Sequence, residues 1–393
     1  MAVTVLLTTE IALTQSPGGG GPSRYIVVLD ESVSGPAQAA DAVARRHGLG
    51  VGLVYSHALK GFSAVIPDER VAAVRADERV EYVESDKTMY AVTQTLPQTL
   101  PWGVNKIDAD TSSTRAGNGS GAVSNVNAYI VDSGIYRHTD LNVDRRENFT
   151  GDGKNTDCFG HGTHVAGIVA AKDNATAVVG VAPGAPLTAV KVLGCDGSGT
   201  LSETIAGVDW VTKNANNRWN ADKPAIANMS LAGPTSQALD DAVRKSARSG
   251  VFYSLAAGNN GAKACNYSPA RAGRTRNADG TWNKNNGIMT TAATNRYDGE
   301  TSYSNYGSCV DIWAPGGTWK RPILSTGAGG GTTKMWGTSQ AAAHVGGGGA
   351  LYLSSHAGAD PSSVEGALKQ AATITPNTSK NGRTIVREYV GGF

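Results

Sequence analysis

The sequence lacks the extremes of composition that mark membrane, nucleic-acid-binding or fibrous proteins. No apolar run approaches the roughly 18 residues that a membrane-spanning helix needs, which predicts a protein that makes no membrane contact. An excess of one charge is also missing. The 35 Lys and Arg against 33 Asp and Glu leave a net charge of +2, which predicts no nucleic-acid partner. The 50 glycines among 393 residues follow no collagen period, and 40% hydrophobic residues indicate a glycine-rich globular protein with a substantial core.

Cysteine is scarce, and its spacing excludes two kinds of site. The sequence has no Cys-x-x-Cys pair, so neither a zinc knuckle nor a thioredoxin-like redox site is expected. The even count of 4 suits two disulfides in an oxidising compartment, although four cysteines allow three connectivities. These residues are Cys158, Cys195, Cys265 and Cys309.

The N-terminus lacks a recognisable secretory signal. The apolar run Met1–Leu7 has no Lys or Arg before it, Glu10 soon follows, and no clear small-residue cleavage site is present. We interpret residues 1–23 as a flexible leader or a remnant export signal.

Residues 24–90 have the pattern of a small α+β domain. Pro67 and Asp68 are favoured in a first helical turn, and Gly48 is typical of a helix end. The polar, proline-bearing segment 91–101 follows and predicts a linker with a processing region. The predicted strands are Arg24–Asp30, Leu59–Ile66 and Val80–Glu84, and the predicted helices are Ala37–His47 and Pro67–Arg75.

From residue 102 to 393, short apolar runs alternate with helix-like stretches. This alternation predicts an α/β domain with a parallel sheet covered by helices on both faces, and a ligand site beyond the carboxyl ends of the strands. The polar segment Arg271–Asn286 indicates a long surface loop. The predicted strands are Ala128–Val131, Leu187–Val192, Ala225–Met229, Val251–Ala256 and Ile288–Ala292. The predicted helices are Val165–Ala171, Ser202–Lys213, Ser236–Arg248 and Ser339–Leu353.

Three polar residues stand at strand ends or helix starts and together suggest nucleophilic catalysis. Asp132 ends a strand, His161 precedes a helix and Ser339 opens another. Singly, each is an ordinary turn, polar or N-cap residue, and His161 with His164 lacks the glutamate of a zinc HExxH motif. Together they supply a nucleophile, a base and a carboxylate that orients the base. Asn259 and the Ser339 backbone N–H can donate to an oxyanion.

At this point the chain resembles the subtilisin-type serine proteases, in particular their proteinase K-like branch. The similarity runs from about Trp102 to Leu353, and the order Asp132, His161, Ser339 is that of the subtilisins. The matching stretches are Val131–Gly134, His161–Gly167, Asn228–Gly233, Ala256–Asn260, Cys265–Ala270, Tyr303–Asp311 and Gly337–Val345.

The resemblance implies a self-processing zymogen. Residues 24–90 resemble the family's ferredoxin-like inhibitory propeptide, which would be cut off near Met89–Thr95, and residues 102–393 would be the subtilisin-like catalytic domain. Ser339 would be the nucleophile, His161 the general base and then acid, Asp132 its orienting partner, and Asn259 an oxyanion donor. The product would be a secreted, monomeric endopeptidase without an organic cofactor.

Substrate binding also follows from the resemblance. An extended peptide would pair between two edges, and small residues would leave an open pocket for the side chain before the cut. Because no acidic residue occurs in these stretches, broad specificity is expected rather than a preference for basic residues. The residues are Gly197, Ser198 and Gly199 on one edge, Ser230, Leu231, Ala232 and Gly233 on the other, and Ala256 and Gly258 in the pocket.

Two structural features are implied by the same resemblance. The disulfides would be Cys158–Cys195 and Cys265–Cys309. Asp311 matches a calcium-ligating aspartate whose usual carbonyl partners fall in Gly273–Thr275, where the loop differs from the family pattern, so structural calcium is an open expectation.

Three departures from the family pattern bear on activity. Gln340 stands where an apolar residue normally packs, and Ala343 where proline is usual. The run Gly346–Gly349 weakens the preference for a helix by roughly 4 kcal/mol at about 1 kcal/mol per glycine. A non-catalytic relative that binds peptides therefore stays an alternative. An esterase of the α/β-hydrolase type is a weaker one, because its G-x-S-x-G pentapeptide is absent.

Overall fold

The computed structural model describes residues 23–57, 59–86, 98–217, 223–277, 279–283 and 285–393. The chain divides into two compact units, one within Met1–Thr93 and one within Gln94–Phe393. The predicted leader up to residue 22 and the predicted cleavage region near Met89–Thr95 lie outside the described residues. Where the structure describes the chain, no helix is both long and apolar enough to cross a bilayer.

The first unit is an antiparallel sheet with two helices. Its strand order is β2-β3-β1-β4, and β1 pairs with both β3 and β4. Buried Val27 and Leu29 of β1 share one core cluster with Phe62 and the helix residues Val43 and Val74. The elements are β1 Ser23–Leu29, α1 Pro36–His47, β2 Val51–Tyr55, β3 Gly61–Ile66, α2 Asp68–Arg75 and β4 Val80–Ser85. The predicted α+β class of this unit is confirmed.

The second unit is built on a nine-stranded sheet with the order β16-β17-β13-β12-β10-β8-β5-β7-β6. The strands from β17 to β6 run parallel, and β16 pairs antiparallel with β17. The helices are α3 Trp102–Lys106, α4 His161–Ala170, α5 Leu201–Ala215, α6 Gln237–Arg248, α7 Thr338–Ser355 and α8 Pro361–Ala371. The strands are β5 Asn127–Asp132, β6 Val143–Asn148, β7 Leu187–Lys191, β8 Ala225–Met229, β9 Gly233–Pro234, β10 Val251–Ala256, β11 Tyr267–Ser268, β12 Ile288–Thr294, β13 Ile312–Pro315, β14 Ile323–Thr326, β15 Thr332–Met335, β16 Thr373–Thr378 and β17 Thr384–Arg387.

Strand β5 shows how the sheet is covered. All six of its residues are buried, and successive side chains point to opposite faces. Ala128 and Ile130 join the core cluster formed with α4 and α7, whereas Tyr129 and Val131 join the cluster formed with α5 and α6. The predicted α/β class, with a parallel sheet flanked by helices, is therefore confirmed. The carboxyl ends of β5, β8 and β10 carry Asp132, Ser230 and Asn259.

Helix α7 runs through its four consecutive glycines without a break. A Cβ atom at Gly347 would lie 2.5 Å from Cβ of Val181, and one at Gly349 would lie 2.6 Å from the ring of Phe252. At Gly348 an added Cβ would collide with the carboxylate of Glu388. Close packing against neighbouring elements therefore requires glycine here, which offsets its low helix propensity.

Candidate active site

The Asp132 carboxylate holds the His161 imidazole. Asp132, the last residue of β5, is fully buried, and His161 is the first residue of α4. The Nδ1 atom of His161 lies 2.8 Å from Oδ1 and 3.0 Å from Oδ2 of Asp132. Because a carboxylate is an acceptor, Nδ1 carries the proton and Nε2 keeps its lone pair. This leaves Nε2 able to accept a proton from a substrate or a nucleophile.

Burial and neighbouring carboxylates shift the pKa of His161 in opposite directions. Burial lowers the pKa of the imidazole, because it disfavours the charged form. The Asp132 carboxylate raises it through its charge and its hydrogen bond, and the charge of Asp157 adds to this effect. The carboxylates prevail, so the pKa of His161 lies above its ordinary value. Such a histidine binds a proton readily when a neighbouring hydroxyl loses one.

Asp157 fixes the turn that leads into α4, a role that the sequence analysis missed. Its carboxylate accepts five hydrogen bonds, which come from Ser133 Oγ, Phe159 N, Gly160 N, Thr163 N and Thr163 Oγ1 at 2.5–3.0 Å. The Ser133 hydroxyl also accepts from Gly162 N at 2.9 Å. These bonds tie the residues after Asp132 to those around His161. The available signal was the aspartate itself, since an aspartate side chain often accepts from the backbone N–H two residues further along.

Ser339 lies in the first turn of α7, at the carboxyl end of β8. Its side-chain hydroxyl donates to Ser230 O at 3.1 Å, and Ser230 Oγ donates back to Ser339 O at 2.8 Å. Ser254 Oγ of β10 donates to Ala342 O one turn further along. In this structure the hydroxyl of Ser339 is therefore engaged with a backbone carbonyl group. Catalytic hydrogen bonds often form only when substrate is bound.

Asn259 is oriented by the residue before Ser339. Its Oδ1 accepts from both the backbone N–H and the hydroxyl of Thr338, each at 2.9 Å. This assigns the amide so that Nδ2 remains the donor. Asn259 is exposed, and the N–H of Ser339 belongs to the first helical turn, where backbone donors have no partner within the helix. Both donors can therefore serve a negatively charged oxygen.

Asn305 supports the Asn259 loop and was also missed. This fully buried residue accepts from Asn260 N and Ala262 N through Oδ1, at 3.0 and 2.9 Å. Its Nδ2 donates to Ala257 O at 2.9 Å. A Cβ atom at Gly258, whose φ is 102°, would collide with this amide, so the close approach requires glycine. The asparagine is 46 residues beyond Asn259, which hides the relationship in the sequence.

A cleft of about 640 Å³ opens beside His161. Both predicted substrate edges line it, and no acidic side chain is among the described residues around it. Ala256 and Gly258 are not part of this cleft and lie buried at the end of β10. The lining residues are Phe159, His161, Leu193, Gly197, Ser198, Gly199, Thr200, Leu201, Thr204, Ser230, Leu231, Ala232, Gly233, Pro234, Thr235, Ser236, Leu239 and Ser268.

Phe159 narrows one end of this cleft. Its side chain is half exposed, and a Cβ atom at Gly197 would lie 2.5 Å from its ring. The ring therefore lies against the backbone of one substrate edge, two residues from His161. Phe159 could not be selected from the sequence, because an aromatic residue next to a cysteine has no distinctive pattern.

Gln340 has a hydrogen-bonding partner in the core. It is buried beside Ser339, and its Nε2 lies 3.4 Å from Nδ1 of His164. The other ring nitrogen of His164 donates to Ile323 O at 3.1 Å. Burial lowers the pKa of His164 to about 3, so the ring is neutral and its Nδ1 accepts. The polar departure from the family pattern is thus satisfied locally.

Two disulfides brace the unit. Cys158–Cys195 joins the turn before His161 to the loop before Gly197, and Cys265–Cys309 joins the segment after Asn259 to the loop before β13. This is the pairing that the family resemblance implies. The bridges close separations of 37 and 44 residues, which restricts the unfolded chain.

Asp311 lies just before β13 and does not have the surroundings of a calcium ligand. Its Oδ1 accepts from the ammonium group of Lys369 at 3.1 Å, and its Oδ2 accepts from Thr290 N at 2.9 Å. Gly273 O, in the expected carbonyl segment, accepts from Asn286 Nδ2. The oxygens expected to bind calcium are therefore engaged by nitrogen donors.

Comparison with known protein families matches both units of the chain. Residues 124–392 match the subtilase family, and residues 24–91 match the peptidase inhibitor I9 family. An extracellular serine proteinase from a Thermus species is 38% identical over 92% of this chain and 87% of its own length. The subtilisin-like serine protease Pen ch 13 of Penicillium rubens is 37% identical over 94% of this chain and 91% of its own.

A further relative and a solved structure align over a smaller share of one of the two proteins compared. The alkaline serine exoprotease A of Vibrio alginolyticus is 37% identical over 91% of this chain, and the match spans 66% of that protein's length. The crystal structure of a cold adapted subtilisin-like serine proteinase superposes with a TM-score of 0.62 at 36% identity. It covers 74% of this chain and 98% of its own.

Proposed function

This chain belongs to the subtilase family of subtilisin-like serine proteases, and from that premise we propose that it is a secreted endopeptidase of broad specificity made as a self-processing zymogen. The observation that carries the proposal is the buried Asp132 carboxylate 2.8 Å from Nδ1 of His161, at the edge of the sheet where α7 presents Ser339. A buried aspartate that fixes one histidine tautomer beside a serine is the arrangement that acyl transfer requires.

The reaction proceeds in two acyl transfers. The Ser339 hydroxyl attacks the carbonyl carbon of the scissile bond while His161 Nε2 takes its proton. The imidazolium then protonates the leaving amine, the C–N bond breaks, and the acyl group stays on Ser339. Water then attacks this ester while His161 takes its proton. The ester C–O bond breaks, and the imidazolium returns a proton to the oxygen of Ser339. Asp132 holds Nδ1–H and stabilises the imidazolium throughout.

Two donors stabilise the oxyanion that forms in each transfer. Asn259 Nδ2 is oriented toward it by the two bonds that Thr338 donates to Oδ1. The Ser339 backbone N–H is the second donor, at the N-terminal end of α7. Because both groups are fixed before substrate binds, little reorganisation is needed as charge develops.

The cleft sets substrate preference. The edges Gly197–Gly199 and Ser230–Gly233 offer backbone groups to an extended peptide. Because this pairing uses the backbone of the peptide, peptides of different sequence bind similarly. Leu193, Leu201 and Leu231 add apolar surface along it. With no carboxylate among the described lining residues, basic side chains gain no charge partner, and apolar or aromatic side chains are favoured.

The N-terminal unit acts as an intramolecular inhibitor until it is removed. The match of residues 24–91 to an inhibitor family supports this role. We place the cleavage near Met89–Thr95. Two disulfides suit an oxidising, extracellular setting. The mature enzyme is a monomer that acts on proteins and peptides and needs no organic cofactor. It binds neither nucleic acid nor membranes.

The test is the intact mass of the purified chain over time, measured beside Ser339→Ala. We expect the parent to lose the mass of a segment ending within Met89–Thr95 while Ser339→Ala stays whole. If both chains stay whole but fold, the proposal of a self-processing enzyme fails and a peptide-binding role gains support. If Ser339→Ala is cut equally fast, a contaminating protease is responsible.

A further inference from the structure

A compact polar cluster connects α8 to the loop that precedes β12. We call it the Asp311 cluster, and it consists of Gly273, Asn286, Asp311, Glu365 and Lys369. From the family resemblance, Asp311 and a carbonyl group in Gly273–Thr275 are expected to hold calcium. The contacts within the cluster indicate a different arrangement.

The ammonium group of Lys369 lies between two carboxylates. Its Nζ is 3.1 Å from Asp311 Oδ1 and 2.5 Å from Glu365 Oε1. The second oxygen of Asp311 accepts from Thr290 N at 2.9 Å. Both oxygens of Asp311 therefore have nitrogen donors, one of them charged, as in a charge-assisted hydrogen-bonded pair.

The carbonyl side of the cluster is engaged as well. Asn286 Nδ2 donates to Gly273 O at 2.5 Å and to Thr275 Oγ1 at 3.3 Å. The backbone N–H groups of Asn286 and Gly287 both donate to Glu365 Oε2, at 2.6 and 2.8 Å. The loop is thus joined to α8 by backbone N–H donors.

Calcium does not fit this set of donors. The ion takes six to eight oxygen ligands at about 2.3–2.6 Å. Bound to Asp311 Oδ1, it would lie close to the Lys369 ammonium, which is 3.1 Å from the same oxygen, and the two cations would repel each other. It would also displace the N–H groups that now donate to Asp311 and Gly273, which would leave them without partners.

We infer that Lys369 supplies, as a covalently attached cation, the positive charge that calcium is expected to supply at Asp311. The folded state is then independent of calcium at this position, because the ammonium group on α8 already binds Asp311, the residue before β13. This inference concerns stability rather than catalysis. It can be tested in Ser339→Ala, where self-cleavage cannot confuse the result, so its failure is distinct from failure of the proposed function.

The experiment measures the thermal unfolding midpoint of full-length Ser339→Ala in EDTA and in millimolar calcium chloride. We expect the same midpoint in both. Adding Lys369→Met should lower the midpoint in EDTA, because Asp311 and Glu365 then face each other without a cation. Calcium should raise the midpoint of this double variant, since Asp311 Oδ1 and Glu365 Oε1, the two oxygens that Lys369 contacts, become available to it. Lys369→Arg should stay insensitive to calcium.

Lys106→Met is the matched control, because Lys106 forms an ion pair with Asp298 at 2.9 Å outside the cluster. It should lose stability without gaining a calcium response. A calcium-dependent rise of the Ser339→Ala midpoint that Asp311→Asn abolishes would overturn the inference, whereas a rise that survives Asp311→Asn reports a different site and leaves it standing. If Lys369→Met does not fold, equilibrium dialysis measures how much calcium Ser339→Ala binds with and without Asp311→Asn. Equal binding by the two chains supports the inference, and loss of one bound ion in Asp311→Asn contradicts it.

Discussion

Gln340, the residue after Ser339, forms a buried hydrogen-bonded pair with His164, with 3.4 Å between Nε2 and Nδ1. In Gln340→Leu the Nδ1 acceptor of His164 would lose its partner, and the variant should be less stable by about 1–3 kcal/mol. Urea unfolding in the Ser339→Ala background measures this. Equal or greater stability of Gln340→Leu would mean that apolar packing outweighs the bond.

Activity should follow the protonation state of His161. Because the base must be neutral, kcat/KM should fall as the pH decreases through the raised pKa of His161, which lies above its ordinary value of about 6.5. Asp132→Asn removes the charge that raises this pKa, so the acid limb should move to lower pH. The rate should also fall about 10⁴-fold, because the tautomer is no longer fixed. Undiminished hydrolysis of a peptide anilide at about pH 4 would contradict this mechanism.

The Asp132–His161 pair should also make stability depend on pH. Activity should fall as the pH decreases, whereas the stability that the pair contributes should fall as the pH rises. A histidine whose pKa is raised on folding contributes stability that is fully present below its unfolded pKa and is lost as the pH rises through the folded one. The stability difference between Ser339→Ala and its Asp132→Asn derivative should therefore shrink as the solution becomes alkaline. Denaturant unfolding at a series of pH values measures it, and a difference that grows with pH would count against the ion pair.

Asn259→Ala removes one oxyanion donor. The value of kcat should fall by about 10²–10³-fold with little change in KM, because the lost bond forms mainly in the transition state. Asn260→Ala is the matched control, since that side chain is the exposed neighbour, and it should leave kcat unchanged. A loss confined to KM would instead assign Asn259 to ground-state binding.

Asp157→Asn tests the positioning of His161. The amide would lose acceptors for backbone N–H groups, so stability should fall by about 1.5–3 kcal/mol or more, and kcat should fall as the turn before His161 loosens. Asp173→Asn offers a matched control. Asp173 also accepts from three backbone N–H groups, at Gly117, Gly119 and Gly121, and its variant should lose stability without losing kcat. Equal effects of both variants on kcat would remove the special role of Asp157.

Phe159→Ala should widen the cleft beside Gly197. The ratio of kcat/KM for substrates with bulky side chains next to His161 to kcat/KM for those with small ones should be roughly 10–200-fold higher in the variant than in the parent. This is the range over which apolar pockets discriminate. A peptide library varied at the residues before the cut measures the ratio. Tyr297→Ala, an exposed aromatic outside the cleft, should leave the profile unchanged. An identical profile for Phe159→Ala would show that the ring does not contact substrate.

The central strands could be predicted from sequence because burial on both faces leaves a continuous apolar run. The bounds Ala225–Met229 and Val251–Ala256 agree with the structure. Strand β6, with the sequence VDRREN, lies at a sheet edge and carries charged residues, so nothing in its pattern indicates a strand. The helix predicted to start at Val165 begins at His161. Its first turn was not predicted, because polar residues occupy that turn.

The residues proposed to react could be selected from their motifs, whereas their supports could not. Asp157, Asn305 and Lys369 act through partners that only the fold brings near. Lys369 and Asp311, for example, are 58 positions apart. Most partners of Asp157 and Asn305 are backbone N–H groups, which carry no signature in a sequence. The chemistry was therefore easier to predict than the contacts that hold it in place.

The central claim is that Ser339 is the nucleophile activated by His161, and covalent labelling tests it most directly. The matured chain is treated with a fluorophosphonate, its intact mass is measured, and the modified peptide is sequenced. The account predicts one adduct, on Ser339, and complete loss of peptide hydrolysis. Ser339→Ala and His161→Ala, whose N-terminal units are removed with added parent enzyme, should form no adduct. Hydrolysis that persists after complete labelling, or an adduct on a different residue, would contradict it.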